Sequence, residues 1–122
     1  MKRVLFISPS KLAQQLMGLI VAGIPKKTEF RALSGLAEAS GVFFTKPVQL
    51  IILDAALFQN GLLQELRQKP FAQSSLKILL ADKAHIPSLA ERHEWGIATC
   101  LVKPFLAEEL TSLLNDKLGN KS

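Results

Sequence analysis

The feature that most constrains the fold is a regular alternation of short apolar segments with longer amphipathic ones. The apolar segments have the length of strands and lie at 3–7, 29–33, 48–53, 76–81 and 98–102. Segments with helical spacing or helix-ending signals follow them at 11–23, 34–44, 61–68, 86–96 and 106–118. Because this alternation is typical of right-handed β-α-β units, we predict an α/β fold with a five-stranded, doubly wound parallel sheet.

Local signals set the expected helix boundaries. Ser10 is a candidate N-cap, and Leu12, Leu16, Leu19 and Ile20 follow it at helical spacing. The segment 34–44 contains two glycines, which weaken a helix. The segment 86–96 predicts a helix with proline in its first turn and glycine at its end.

Length and composition exclude several classes of protein. A chain of 122 residues is long enough for one domain with its own core, which we place at 1–119, with a frayed tail at 120–122. No apolar run is long enough to cross a membrane. The net charge is +5, but the lysines and arginines are scattered, which argues against binding to nucleic acid. The single cysteine, Cys100, excludes an internal disulfide and favours a cytoplasmic location.

Two charged residues stand at the ends of predicted strands. Asp54 follows the apolar run "LIIL", and Lys103 follows "ATCLV". In doubly wound sheets, ligands bind in a crevice outside the carboxyl ends of the strands. We therefore expect Asp54 at the mouth of such a crevice rather than sealed in the core. We also expect Lys103 to pair with it, because an unpaired buried carboxylate is costly.

The order and spacing of these segments resemble the receiver domain of bacterial response regulators over nearly the whole chain. "KPVQLIILD" is similar to the third strand of that family and its phosphoacceptor aspartate, which falls on Asp54. "GLLQELR" is similar to its third helix, and "LKILLADKAHIPSLAERHEWGIATCLVKPF" ends on its lysine, here Lys103. The resemblance implies a flavodoxin-like, three-layer αβα sandwich. It also implies a cis bond before Pro104 that turns Lys103 into the crevice.

The chain departs from the family where the family binds Mg²⁺ and phosphate. The acid pair that would hold the metal falls on Ser8 and Pro9, the strand-four hydroxyl on Ala81, and the aromatic switch on Cys100. Hard divalent cations prefer charged oxygen ligands, so we expect no cofactor and weak or absent Mg²⁺ binding. The pair of Asp54 and Lys103 has zero net charge. Asp82 is one position past Ala81 and either leans toward the pair or belongs to a solvated loop.

We favour a degenerate receiver, or pseudo-receiver, which is not an enzyme and acts through a protein partner such as a histidine kinase or an output protein. The family surface that contacts output proteins is formed by its fourth helix, fifth strand and fifth helix. The alternative is a response regulator that is phosphorylated on Asp54 in spite of its unusual pocket. A small nucleotide-binding protein is disfavoured, because "SPSKLAQ" lacks the glycines of a phosphate loop.

Overall fold

A computed structural model describes residues 2–24, 27–35, 41–54, 62–103, 105 and 107–118. Its strands are β1 (Lys2–Ile7), β2 (Thr28–Leu33), β3 (Leu50–Asp54), β4 (Leu76–Asp82) and β5 (Ile97–Lys103). Its α-helices are α1 (Lys11–Ala22), α2 (Leu62–Arg67), α3 (Leu89–Trp95) and α4 (Ala107–Lys117). Short 3-10 helices lie at Val42–Thr45, Pro70–Ala72 and Lys83–His85. None of the helices in these ranges is long and apolar enough to cross a membrane.

The five strands form one sheet in the order β2-β1-β3-β4-β5, and every neighbouring pair is parallel. This confirms the predicted doubly wound sheet, because β1 lies between β2 and β3 and the order therefore reverses there. The central strands are buried on both faces, whereas the edge strands β2 and β5 are half-exposed. The three central strands alone therefore match the fully buried pattern that the sequence predicted.

The core consists of two apolar layers, one on each face of the sheet. Along β3, Leu50 and Ile52 belong to one layer and Ile51 and Leu53 to the other. Successive side chains of a strand point to opposite faces, so this division follows from the period of two. The first layer also holds Met17 of α1 and the leucines of α4, so α1 and α4 cover that face. We call it the α1/α4 face.

Helix α1 begins where the sequence predicted but turns a different side toward the sheet. Ser10 caps it by accepting a hydrogen bond from the backbone N–H of Ala13. Met17 and Val21 are its buried residues. Three of the four predicted stripe residues are exposed instead, namely Leu12 (66%), Leu16 (51%) and Leu19 (72%). Helix α1 is thus apolar on two sides, and periodicity alone selected the side that faces solvent.

Two further predictions need correction at helix starts. Helix α3 begins at Leu89 behind the N-cap Ser88, which forms a capping box with Glu91, so Pro87 precedes the helix and does not lie in its first turn. The helix predicted over 34–44 is, in its described part, the 3-10 helix Val42–Thr45 after Gly41 at φ 95°. Residues 36–40 of that segment, and the predicted tail at 120–122, lie outside the described residues. The domain boundary at 119 therefore stays a prediction.

Candidate functional site

The candidate site lies at the carboxyl edge of the sheet, where β1, β3 and β5 all end. Asp54 is the last residue of β3, Lys103 is the last of β5, and Ser8 directly follows β1. Each of these three residues lies two positions after a residue that packs on the α1/α4 face. Those preceding residues are Phe6, Ile52 and Leu101, in the same order of strands. The alternation of side chains therefore directs all three to that face.

The Asp54 carboxylate is held at both oxygens. The Lys103 ammonium donates to Oδ1 over 3.1 Å, which confirms that the two strand-end charges meet. The Ser8 hydroxyl donates to Oδ2 over 2.9 Å. Asp54 lies at the strand end as expected, but it is more enclosed than the sequence suggested, since only 7% of the residue is exposed. A carboxylate buried to this extent needs a cation and hydrogen-bond donors to remain charged.

The backbone around Ser8 fixes the direction of its hydroxyl. Ser8 is fully buried, and its backbone N–H donates to the carbonyl of Leu33 over 2.9 Å. The Ser8 Oγ accepts a hydrogen bond from the backbone N–H of Ser10 over 3.2 Å. Gln14 donates to the Ser8 carbonyl over 2.8 Å. Because Oγ accepts from Ser10, its own proton is free to point at Asp54.

Sequence reasoning treated Ser8 only as a missing carboxylate, and it missed this donor role. The sequence contains one signal for this role, since Ser8 continues the alternation of Val4 and Phe6 beyond the end of β1. Which residue lies beside Ser8 depends on the register of β1 against β3. The structure supplies that register by placing Ile7 opposite Leu53, so the residue after Ile7 lies beside Asp54. A hydroxyl next to a buried carboxylate is a natural hydrogen-bond donor.

We expect Ser8→Ala to lower the free energy of unfolding by about 1–3 kcal/mol, because it leaves one oxygen of a buried carboxylate without this donor. Urea denaturation measures the change. The control is the same substitution in an Asp54→Asn background, where no charge needs the hydroxyl and the loss should be smaller. Equal losses in the two backgrounds would contradict the assigned role of Ser8.

Ala81 and Cys100, two further positions singled out by the resemblance, pack on the other face of the sheet. Ala81 is 1% exposed and packs in the core layer on the opposite face from Asp54. Cys100 packs against that same layer. Pro9 is exposed on the loop before α1. Pro104 lies outside the described residues, so the cis bond stays a prediction.

Asp82 joins the site from the end of β4. It is exposed, lies opposite Lys103 in the register of β4 and β5, and lines the same groove as Asp54 and Lys103. The predicted zero net charge therefore describes the pair of Asp54 and Lys103, but the site as a whole carries two carboxylates and one ammonium.

The donor set does not suit Mg²⁺. The position of the missing acid pair offers a hydroxyl that is already bonded to Asp54 and a proline without a side-chain donor atom. Lys103 Nζ occupies one oxygen of the carboxylate. Within the described ranges, no group of three or more His, Cys, Asp or Glu residues is placed to hold a metal ion. Mg²⁺ prefers octahedral sites built on carboxylate oxygens, which this arrangement does not provide.

Cys100 is unsuited to be a reactive thiol. Burial raises its pKa, and the nearby Arg92 guanidinium opposes that shift with a smaller effect. A raised pKa lowers the fraction of thiolate at neutral pH, and the thiolate is the nucleophile. We expect iodoacetamide to alkylate Cys100 more slowly at pH 8 than it alkylates a free cysteine peptide. Equal rates in the folded protein and the peptide would show that the thiol is not shielded; urea-unfolded protein should match the peptide.

Solved structures with the same fold include several bacterial receiver domains. One is the signal receiver domain of a two-component histidine kinase from Clostridium thermocellum, with a TM-score of 0.74 at 18% identity, covering 96% of this chain and 97% of that one. A chemotaxis response regulator of Vibrio cholerae matches with a TM-score of 0.73 at 20% identity, covering 96% of this chain and 98% of that one.

A third is the signal receiver domain of an HD domain-containing protein from Pseudomonas fluorescens, with a TM-score of 0.70 at 24% identity, covering 98% of this chain and 88% of that one. No model of a known protein family matches the sequence, and no curated protein matches it significantly. At these identities the likeness shows the fold. This chain therefore has the fold of a receiver domain over nearly its whole length.

Proposed function

We propose that this chain is a pseudo-receiver, a receiver-like signalling domain of a two-component system that works mainly through protein–protein contacts. Phosphorylation of Asp54 that depends on Mg²⁺ would be weak or absent. The observation that carries the proposal is the state of the Asp54 carboxylate, whose two oxygens already accept from Ser8 and Lys103.

The chemistry of phosphoryl transfer supports this proposal. An anionic carboxylate must approach an anionic phosphoryl group, so catalysis depends on cations that neutralise the developing charge. The Lys103 ammonium is one such cation, but its positive charge is offset by Asp54 at 3.1 Å and by Asp82 on the neighbouring strand. No acid pair is present at 8–9 to bring a second cation.

Protein recognition fits the surface better than catalysis does. Leu89 at the start of α3 is 76% exposed, and Ile86 just before that helix is 38% exposed. They lie in the segment 86–96, which resembles the fourth helix of receiver domains, and that helix is part of the surface that the family uses toward output proteins. The net charge of +5 favours approach to an acidic protein. A protein partner in the cytoplasm, such as a histidine kinase or an output protein, is the expected interaction, with no role for nucleic acid or membrane.

A second candidate function rests on a specific observation. Asp54 and Lys103 have the residue types and the contact of a phosphoacceptor and its lysine, and the carboxylate lines an open groove. A kinase that supplies a cation to neutralise the phosphoryl group could use the Asp54 carboxylate as the nucleophile. This candidate is a response regulator phosphorylated on Asp54.

Labelling with a small phosphodonor separates the two candidates. The protein is incubated with acetyl phosphate and Mg²⁺, and intact-mass spectrometry detects phosphoryl addition. We expect no addition to the unsubstituted protein under conditions that label a conventional receiver domain completely. An Asp54→Asn variant controls for addition elsewhere. Labelling that requires Asp54 and Mg²⁺ would overturn the pseudo-receiver and support the second candidate.

A further inference from the structure

A groove of about 730 Å³ opens on the α1/α4 face beside the Asp54–Lys103 pair. One wall is formed by Leu16, Leu19 and Ile20 of α1, and the other by Phe105 and the first residue of α4, Ala107. The volume lies in the range of small-molecule sites, which are concave, mainly apolar and fitted with a few polar groups.

The floor of the groove is apolar. Phe6 of β1 and Leu80 of β4 form it, and they are only 1% and 3% exposed. The part of a ligand that suits the inner end of the groove is therefore an apolar group.

The charges of the groove lie at one end. Asp54, Asp82 and Lys103 are its charged lining residues in the described ranges, and together they carry a net charge of −1. The residues at 55–61, Pro104 and Leu106, which follow the strand ends in sequence, include no charged side chain and leave this sum unchanged. The rest of the described lining is apolar. A ligand complementary to this layout has an apolar body and one positive charge at its end.

We propose that this groove binds a small amphiphile with an apolar body and a single cationic head group. The body lies along Leu16 and Leu19 and removes their exposed surface from water. The head lies at the carboxyl edge of the sheet, beside Asp82. This inference goes beyond the proposed function and does not depend on it.

The test uses three probes with the same chain and different heads, namely octylamine, 1-octanol and octanoate, below their aggregation concentrations. Heteronuclear NMR titration gives the dissociation constants and locates the shifts. We expect saturable binding of octylamine, with shifts at Leu16, Leu19 and Ile20. The affinity for octanoate should be lower by a factor of about ten or more, because the net negative charge of the groove repels its head. Asp82→Asn should lower the affinity for octylamine to about the affinity for 1-octanol.

Two substitutions on α1 form a matched pair. Leu16→Gln, within the groove, should weaken octylamine binding by about tenfold. Leu12→Gln makes the same chemical change on the same helix outside the groove lining, and it should leave binding unchanged. Both leucines are more than half exposed, so neither variant should unfold the protein.

Several outcomes would overturn the proposal. Equal affinity for the three probes would show that the site does not select a cationic head group. Equal effects of the two α1 substitutions would show that the probes do not bind in the groove. Concentration-dependent dimerisation in sedimentation experiments, abolished by Leu12→Gln, would show that a second copy covers α1 instead.

Discussion

Replacing Ser8 and Pro9 together by aspartate is expected to create a Mg²⁺ site built on carboxylates. The Ser8 hydroxyl lies 2.9 Å from Asp54, so the replacement adds one carboxylate at that buried position and a second at the exposed position that follows it in the chain. The charge of the site, counting Asp54, Asp82 and Lys103, then changes from −1 to −3. Carboxylate oxygens are the ligands that Mg²⁺ prefers, so we expect its affinity to rise by about a hundredfold or more, into the millimolar range.

Thermal denaturation with and without Mg²⁺ measures this gain. An ion that binds only the folded state raises the melting temperature as its concentration passes the dissociation constant. The double aspartate should be less stable than the natural protein without metal, because a new carboxylate at the buried Ser8 position faces Asp54. Added Mg²⁺ should then stabilise it markedly.

The matched control is Ser8→Asn with Pro9→Asn, which has the same side-chain size without the charge. It should show no response to Mg²⁺ at about 10 mM beyond that of the natural protein. Saturable binding by the natural protein at low millimolar Mg²⁺, with NMR shifts centred on Asp54, would contradict the account of the site given above.

The sheet could be predicted because its signals are local. Each apolar segment has its own period and its own bounding glycine, proline or polar residue, and the alternation of segments then restricts the topology. The pairing of Asp54 with Lys103 also followed from the sequence, because both residues close strands whose ends share one edge.

The environment of that pair could not be predicted in full, because it depends on contacts between distant residues. Ser8 and Asp54 are 46 residues apart, and their hydrogen bond requires the register of β1 against β3. The prediction of which side of α1 faces the core failed for a related reason. A helix with apolar residues on two sides satisfies periodicity in either orientation, and the packing of Met17 and Val21 against the sheet decides between them.

Removing the positive charge at Lys103 is expected to have the second large effect, on stability. Breaking a fully buried ion pair costs about 3–5 kcal/mol, because the remaining charge is left without compensation. The side chain of Asp54 is only 10% exposed, but that of Lys103 is 38% exposed, so solvent screens part of the interaction. We therefore expect Lys103→Ala to lower the free energy of unfolding by about 2 kcal/mol, which urea denaturation can measure.

The size of the loss should depend on the charge of Asp54. In an Asp54→Asn background, no buried carboxylate needs the ammonium, so Lys103→Ala should cost much less there. The difference between the two backgrounds gives the coupling energy of the pair, which we expect at about 1–2 kcal/mol. Lys83→Ala removes the same charge from an exposed position next to Asp82 and should change stability by less than about 0.5 kcal/mol. If Lys103→Ala and Lys83→Ala had equal effects, or if the two site substitutions were additive, Lys103 would not be the residue that makes the buried carboxylate of Asp54 tolerable.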